Sequence, residues 1–209
     1  MAVKADADGL DVFYPIVPDL AWLERLVPLG VKTIQLRLKD APGERVRREI
    51  GGSLEVCARY GCQLIVNDYW REALSLGADY IHLGQEDLAE ADLPTIQAKG
   101  IRLGISTHSE EELDIALAAL PDYVALGPIY ETRLKAMKWA PQGLERLAQW
   151  KRRIGRLPLV AIGGLTPARA DGVRAAGADS LAVITDIFAH PDPQARTSEW
   201  LVWAERCGP

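Results

Sequence analysis

The chain has 209 residues, 48% of them hydrophobic, which is enough for one domain with a substantial core and near the low end for a closed α/β barrel. Its formal net charge of −5, with no basic block, excludes nucleic acid as the main partner, because binding a phosphate backbone requires concentrated positive charge. Three cysteines without metal-ligand spacing (Cys57, Cys62, Cys207) point to free thiols, and no membrane-length apolar run or signal-like leader is present, so a cytoplasmic chain with no membrane partner is expected.

Residues 1–11 read as a flexible N-terminal extension to a single domain spanning 1–209. A β-rich run at 12–17 follows, then an amphipathic helix at 20–29. The next strand, 33–38, leads into Gln35-Leu36-Arg37-Leu38-Lys39. Strand alternation puts Gln35, Arg37 and Lys39 on one face and both leucines on the other. Two cations on the inner face of a buried strand need an anion, so a phosphate-type ligand is the reading; an ion-paired strand end is the alternative. Cys57 and Cys62 read as ordinary packing around the helix at 43–60.

The strand at 63–66 ends in Asn67-Asp68 and precedes a helix at 71–76; the strand at 80–83 runs into a loop carrying Gln85-Glu86-Asp87, with a helix at 93–99. Asp68 and Asp87 thus lie at the ends of adjacent strands, and two carboxylates in one small site need a proton or a cation. Magnesium binds through one or two carboxylates plus phosphates and water, so one Mg²⁺ per site with Arg37 and Lys39 makes a coherent diphosphate site. Helix capping by each aspartate is the alternative.

The strand at 102–106 ends in Ser106-Thr107-His108 and is followed by a helix at 110–120; the strand at 123–126 runs into Gly127-Pro128, Thr132 and Lys135, with a helix at 143–154. The polar stretch 131–142 between them, with Trp139, is a candidate lid. The strand at 159–162 leads through Gly163-Gly164 to Thr166 as a helix N-cap and Pro167 as the first residue of a helix at 167–176. The last strand, 180–183, opens onto Ile184-Thr185, with a final helix at 195–205. Gly164, Ile184 and Thr185 match the phosphate site often built after barrel strands seven and eight, although the glycines would also serve close packing. His82 and His108 have no partners at metal-ligand spacing and read as core or supporting residues.

Eight strands alternating with eight helices imply an α/β fold with parallel strands, a (β/α)8 TIM barrel, with an open doubly wound sheet as the alternative if one element is miscounted. Two anion sites on one barrel suggest a condensation of two phosphorylated small molecules.

Six ordered blocks resemble the thiamine-phosphate synthase family: residues 35–39, Asn67-Asp68-Tyr69-Trp70-Arg71, His82 through Leu88, Gly104-Ile105-Ser106-Thr107-His108, Leu126 through Tyr130, and Ala161-Ile162-Gly163-Gly164. The likeness runs roughly from Tyr14 through Ile187. It implies a barrel transferase that joins 4-amino-2-methyl-5-(diphosphooxymethyl)pyrimidine to a thiazole phosphate, plain or carboxylated, releasing diphosphate. By position, Gln35, Leu36, Arg37, Leu38, Lys39 and Asn67 would hold the pyrimidine diphosphate, and Asp68 and Asp87 would bind Mg²⁺. Ser106 and Lys135 would meet the departing diphosphate, so that Arg37, Lys39, Ser106 and Lys135 form the catalytic set. Thr132, Arg133 and Leu134 would hold the thiazole phosphate, with its phosphate on Gly164, Ile184 and Thr185. Assembly into a homo-oligomer stays open.

The sequence departs from the family pattern after strand six, where Glu131 replaces a proline and Leu134 a threonine, and after strand eight, where Thr185-Asp186 replaces Ser-Ala. Asp186 is expected to face away from the phosphate. Three other readings compete: a thiazole tautomerase, which would not need the cations and aspartates; a sugar-phosphate isomerase with Glu131 as base; and a non-catalytic phosphometabolite binder.

Overall fold

A computed structural model describes residues 10–132 and 139–207. Eight strands run in parallel and pair in chain order: β1 (Phe13–Val17), β2 (Thr33–Leu36), β3 (Gln63–Asn67), β4 (Tyr80–Leu83), β5 (Arg102–Thr107), β6 (Tyr123–Leu126), β7 (Leu159–Ile162) and β8 (Ser180–Val183). β8 pairs back onto β1 through Phe13↔Leu181, which closes the barrel predicted from the alternation. The helices among the described residues are α1 (Leu20–Leu26), α2 (Gly43–Tyr60), α3 (Trp70–Leu76), α4 (Gln85–Glu90), α5 (Leu93–Ala98), α6 (Glu110–Ala118), α7 (Gly143–Ile154), α8 (Pro167–Ala175), α9 (Thr185–Phe188) and α10 (Pro193–Cys207).

Strands covered on both faces read as nearly continuous apolar runs, and the two faces feed different cores. One set of side chains, including Leu36, Leu83, Leu126 and Leu181, packs outward against the helices. The other, including Tyr14, Ile65, Tyr80, Tyr123 and Val160, fills the barrel interior. Polar residues join the interior set at the carboxyl ends: Gln35, Asn67 and His82 are buried there among the apolar groups.

Several boundaries differ from those expected. β2 ends at Leu36, not Leu38, because its partner β1 ends at Val17, which pairs with Leu36; the Arg37 N–H makes a last bond to the Val17 carbonyl at 2.8 Å. The alternation nevertheless persists past the ladder: Leu36 and Leu38 are buried, Arg37 is half-buried and Lys39 is exposed. The helix expected at 20–29 tightens into a 3-10 turn at Val27–Leu29, where Pro28 cannot donate an N–H to continue the α-helical ladder. The expected loop at 85–87 is the start of α4, and a one-turn α9 opens at Thr185. Cys62 lies beyond the end of α2, after Gly61 has turned the chain with φ +63°.

The seam between β8 and β1 is covered by α10. Trp200 stacks on Phe13 with ring centroids 5.1 Å apart and 4° between planes, and the Trp203 indole N–H donates to Asp171 Oδ1 at 2.7 Å.

Candidate active site at the carboxyl ends of the strands

A cavity of about 620 Å³ opens where β2, β3 and α4 meet, and its wall includes Arg37, Lys39, Asp68, Arg71 and Asp87. The residues expected to serve a diphosphate from strands two to four are therefore gathered at one place. Leu36 and Leu38 turn instead into the outer core, so their side chains brace the segment that carries the cations. Arg71 adds a further guanidinium, stacked 4.2 Å over the Trp70 ring. Sequence reasoning quoted Arg71 within a motif but gave it no role; its signal was a cation one helical turn beyond an aspartate at a strand end.

Asp68 sits just after β3 with φ +65°, a left-handed conformation that an L residue adopts at a cost and that Asp tolerates better than most. Its side chain is not a helix cap: α3 begins at Trp70 after Tyr69, and no side chain caps it. Asp87 lies in the first turn of α4, which likewise has no side-chain cap. The capping alternative is thus removed, and the two carboxyl groups lie close enough for the Asp87 charge to act on Asp68. Burial pushes the Asp68 carboxyl up to about 6, the Asp87 charge adds to that, and the Arg37 charge opposes it.

Such a pair holds either a shared proton or a cation. Among the described residues no cluster of three or more His, Cys, Asp or Glu side chains is able to hold a metal ion by itself. Two oxygen-donating carboxylates beside an open cavity fit a magnesium ion that takes its remaining ligands from phosphates and water.

Ser106 on β5 faces the barrel interior rather than the cavity wall. His82 Nε2 lies 2.8 Å from Ser106 Oγ and His82 Nδ1 lies 2.7 Å from the Tyr123 hydroxyl. The Gln85 amide donates to the Ser106 carbonyl at 2.7 Å, tying α4 to the end of β5. Burial, with help from the Arg37 charge, pushes the His82 imidazole down to about 3, so it is neutral at any working pH. His82 is thus a buried, hydrogen-bonded residue of the barrel interior, in line with its reading as a core or supporting residue. His108 pairs with Glu112 at 2.8 Å and stacks on Trp139 with 6° between ring planes.

Gln35 and Asn67 are both buried. Asn67 and His82 are register partners, so one layer of the barrel links the aspartate pair to the imidazole.

Gly164, Ile184 and Thr185 lie on the opposite side of the same end, beyond the wall of the cavity just described. Gly163 and Gly164 have φ of +98° and +66°, and a Cβ on Gly164 would stand 2.6 Å from the Glu131 carbonyl oxygen. These glycines therefore allow the β7 turn to pack against the strand-six loop, and the Tyr130 N–H donates to the Gly163 carbonyl at 3.1 Å. Thr166 is the N-cap residue of α8 and Pro167 its first residue, as expected, but the threonine side chain makes no capping bond.

Asp186 faces away from this turn. Its Oδ2 accepts from Arg196 Nε at 2.8 Å and from the Trp200 indole N–H at 2.8 Å, and its Oδ1 accepts from Arg196 Nη2 at 2.8 Å. The carboxylate that seemed hostile to a phosphate is a clamp on α10. Asp186→Asn is expected to lower stability by about 1.5–3 kcal/mol, or roughly 5 °C in melting temperature, because it removes the charge of Arg196's largely buried partner and leaves only the exposed Glu199 to pair with it. A melting curve of the variant checks this, and an unchanged midpoint would contradict it.

Thr132 is half-buried at the end of the strand-six loop and Glu131 is exposed. Arg133, Leu134 and Lys135, and with them half of the stretch expected as a lid, lie outside the described residues. No described helix is long and apolar enough to cross a membrane.

Comparison with known proteins adds three findings. A family model described as thiamine monophosphate synthase matches residues 13–187. A thiamine-phosphate synthase of Rhizobium etli is 61% identical over 192 residues, covering 92% of this chain and 94% of that protein; one of Citrobacter koseri is 47% identical over 191 residues, covering 91% and 90%. Among solved structures, a thiamine phosphate pyrophosphorylase from Pyrococcus furiosus superposes with a TM-score of 0.83 at 25% identity, covering 97% of this chain and 98% of that one.

Proposed function

Because the chain belongs to the thiamine monophosphate synthase family, we propose that it condenses 4-amino-2-methyl-5-(diphosphooxymethyl)pyrimidine with a thiazole phosphate, giving thiamine phosphate and diphosphate. The observation that carries this reading is the cavity in which Arg37 and Lys39 meet the Asp68–Asp87 pair. A leaving diphosphate gains negative charge as the C–O bond breaks, and cations fixed beforehand at that point stabilise the transition state more than the ground state. The electron-rich aminopyrimidine spreads the positive charge left on its methylene, and the thiazole nitrogen then captures that carbon.

Each residue has a place in the sequence of events. Gln35 and Asn67, both buried, orient the pyrimidine; Arg37 and Lys39, in the cavity wall, hold the diphosphate, and Ser106 and Lys135 receive it as it leaves. Asp68 and Asp87 would hold Mg²⁺, which supplies neutralising charge on the diphosphate oxygens. Thr132, Arg133 and Leu134 hold the thiazole, whose phosphate rests on the turn at Gly164 and on Ile184 and Thr185. The exposed Glu131, with no cation or acid assigned to it, gives no support to an isomerase base.

Incubating the protein with both substrates, with and without Mg²⁺, should give thiamine phosphate and diphosphate in equal amounts only when the metal is present. No product with either the plain or the carboxylated thiazole phosphate would overturn the reading. Leu134 stands where relatives of this pattern carry a hydroxyl, so Leu134→Thr should restore one neutral hydrogen bond. That corresponds to a fall in the thiazole KM of about 2- to 10-fold, read from initial rates at saturating pyrimidine diphosphate.

A further inference from the structure

The barrel interior holds a hydrogen-bond chain that begins at Ser106 and runs inward through His82 to Tyr123. We propose that Tyr123 is a positioning residue for the condensation: its phenol donates to His82 Nδ1, which fixes the imidazole proton on Nε2 and leaves the Ser106 hydroxyl proton free for the diphosphate. The inference rests on the reading that Ser106 meets the diphosphate.

The barrel register makes the contact available. His82 pairs with Gly104, and Gly104 with Tyr123, so the three occupy one layer on consecutive strands. A Cβ on Gly104 would lie 2.0 Å from the Tyr123 ring. The missing side chain on β5 is what lets a tyrosine on β6 cross to a histidine on β4. Their rings lie 5.5 Å apart with 22° between planes, and both side chains are buried.

The donors and acceptors then allow two arrangements. A neutral imidazole has one N–H and one bare nitrogen, and a phenol has one proton and two acceptor positions. Burial holds the Tyr123 phenol well above its ordinary range and His82 far below its own, so neither exchanges its charge state.

If Tyr123 donates to Nδ1, Nε2–H donates to Ser106 Oγ, and the serine proton points outward. If instead Nδ1–H donates to Tyr123, the serine proton must turn inward to Nε2, and its lone pairs face the anion. A diphosphate oxygen accepts hydrogen bonds and donates none, so only the first arrangement serves it. The geometry thus gives a buried tyrosine control over the polarity of a serine two groups away.

The chain has three histidines, so ¹⁵N-histidine labelling gives a readable spectrum. With Mg²⁺ and inorganic diphosphate added, wild-type His82 should show the Nε2–H tautomer; the Nδ1–H tautomer would overturn the proposal without recourse to any variant. By titration calorimetry, Tyr123→Phe should weaken inorganic diphosphate binding about tenfold, the loss of one hydrogen bond to a charged group. Ser106→Ala should weaken it similarly, and the double variant no further than Ser106→Ala alone. Unchanged binding in Ser106→Ala would end the reading of Ser106 and the proposal with it. Weakened binding in Ser106→Ala but not in Tyr123→Phe would end the proposal alone, as would an undiminished Tyr123→Phe effect in the Ser106→Ala background.

Discussion

Asp68→Asn is expected to cut turnover by about 10²- to 10³-fold while making the metal-free protein more stable above pH 6. The loss follows from the proposed role: one of the two carboxylates beside the cavity is gone, and a neutral amide is a poor ligand for a hard cation. The gain follows from linkage. The Asp68 carboxyl is raised from 3.8 to about 6, first by burial and then by the Asp87 charge. A raised acid means that the folded state binds the proton more tightly than the unfolded chain, so stability falls as pH rises from 3.8 towards 6, and the penalty is complete above that.

Asparagine carries no charge and tolerates φ near +65° as aspartate does, so it removes the penalty without adding backbone strain. Because solvent screens part of the effect, the expected gain is about 1 kcal/mol, or roughly 2–4 °C in melting temperature at pH 7.5, falling to nothing at pH 3.5. Thermal melts across that range decide it. Mg²⁺ should raise the midpoint of the wild type at pH 7.5 and leave the variant unmoved; a variant that melts lower than wild type at pH 7.5 would show that the aspartate pair is not a site of stored repulsion.

Arg37→Ala is expected to lower kcat/KM for the pyrimidine diphosphate by about 10²- to 10³-fold, with little change in the thiazole KM. Arg37 is anchored by its backbone bond to Val17 and flanked by two buried leucines, so its guanidinium enters the cavity from a fixed base. Arg37→Lys should recover only part of the loss, because an ammonium cannot make the paired, planar contacts of a guanidinium with phosphate oxygens. Initial rates against each substrate separate these outcomes. An equal rise in both KM values would instead mean that the substitution had disturbed the whole barrel mouth.

Much of the fold could be read from the chain because each strand is an apolar run and each is followed by an amphipathic segment, so the eight-fold alternation survives errors of a residue or two at the ends. What could not be read depended on partners. The end of β2 is set by the end of β1, which no local pattern reveals. The helices at Gln85–Glu90 and Thr185–Phe188 are too short for periodicity to mark them. At the site, the cations and acids stood out because charge at a buried strand end needs a reason. Tyr123 did not, since an aromatic residue on a strand is ordinary until the register places it in the same layer as His82 with a glycine between them.

The clasp of α10 over the seam has a consequence for how the protein is made. Phe13, in the first strand, finds its stacking partner in Trp200, and β1 closes against β8, 168 positions later at their shared register Tyr14↔Ala182. β1 therefore waits for β8 and α10 before its hydrophobic face is covered. During synthesis the strands from β2 onward can associate with their predecessors, but the ring stays open until β8 and α10 have emerged, and any nascent chain stalled before Trp200 exposes the flank of β1 to chaperones and proteases.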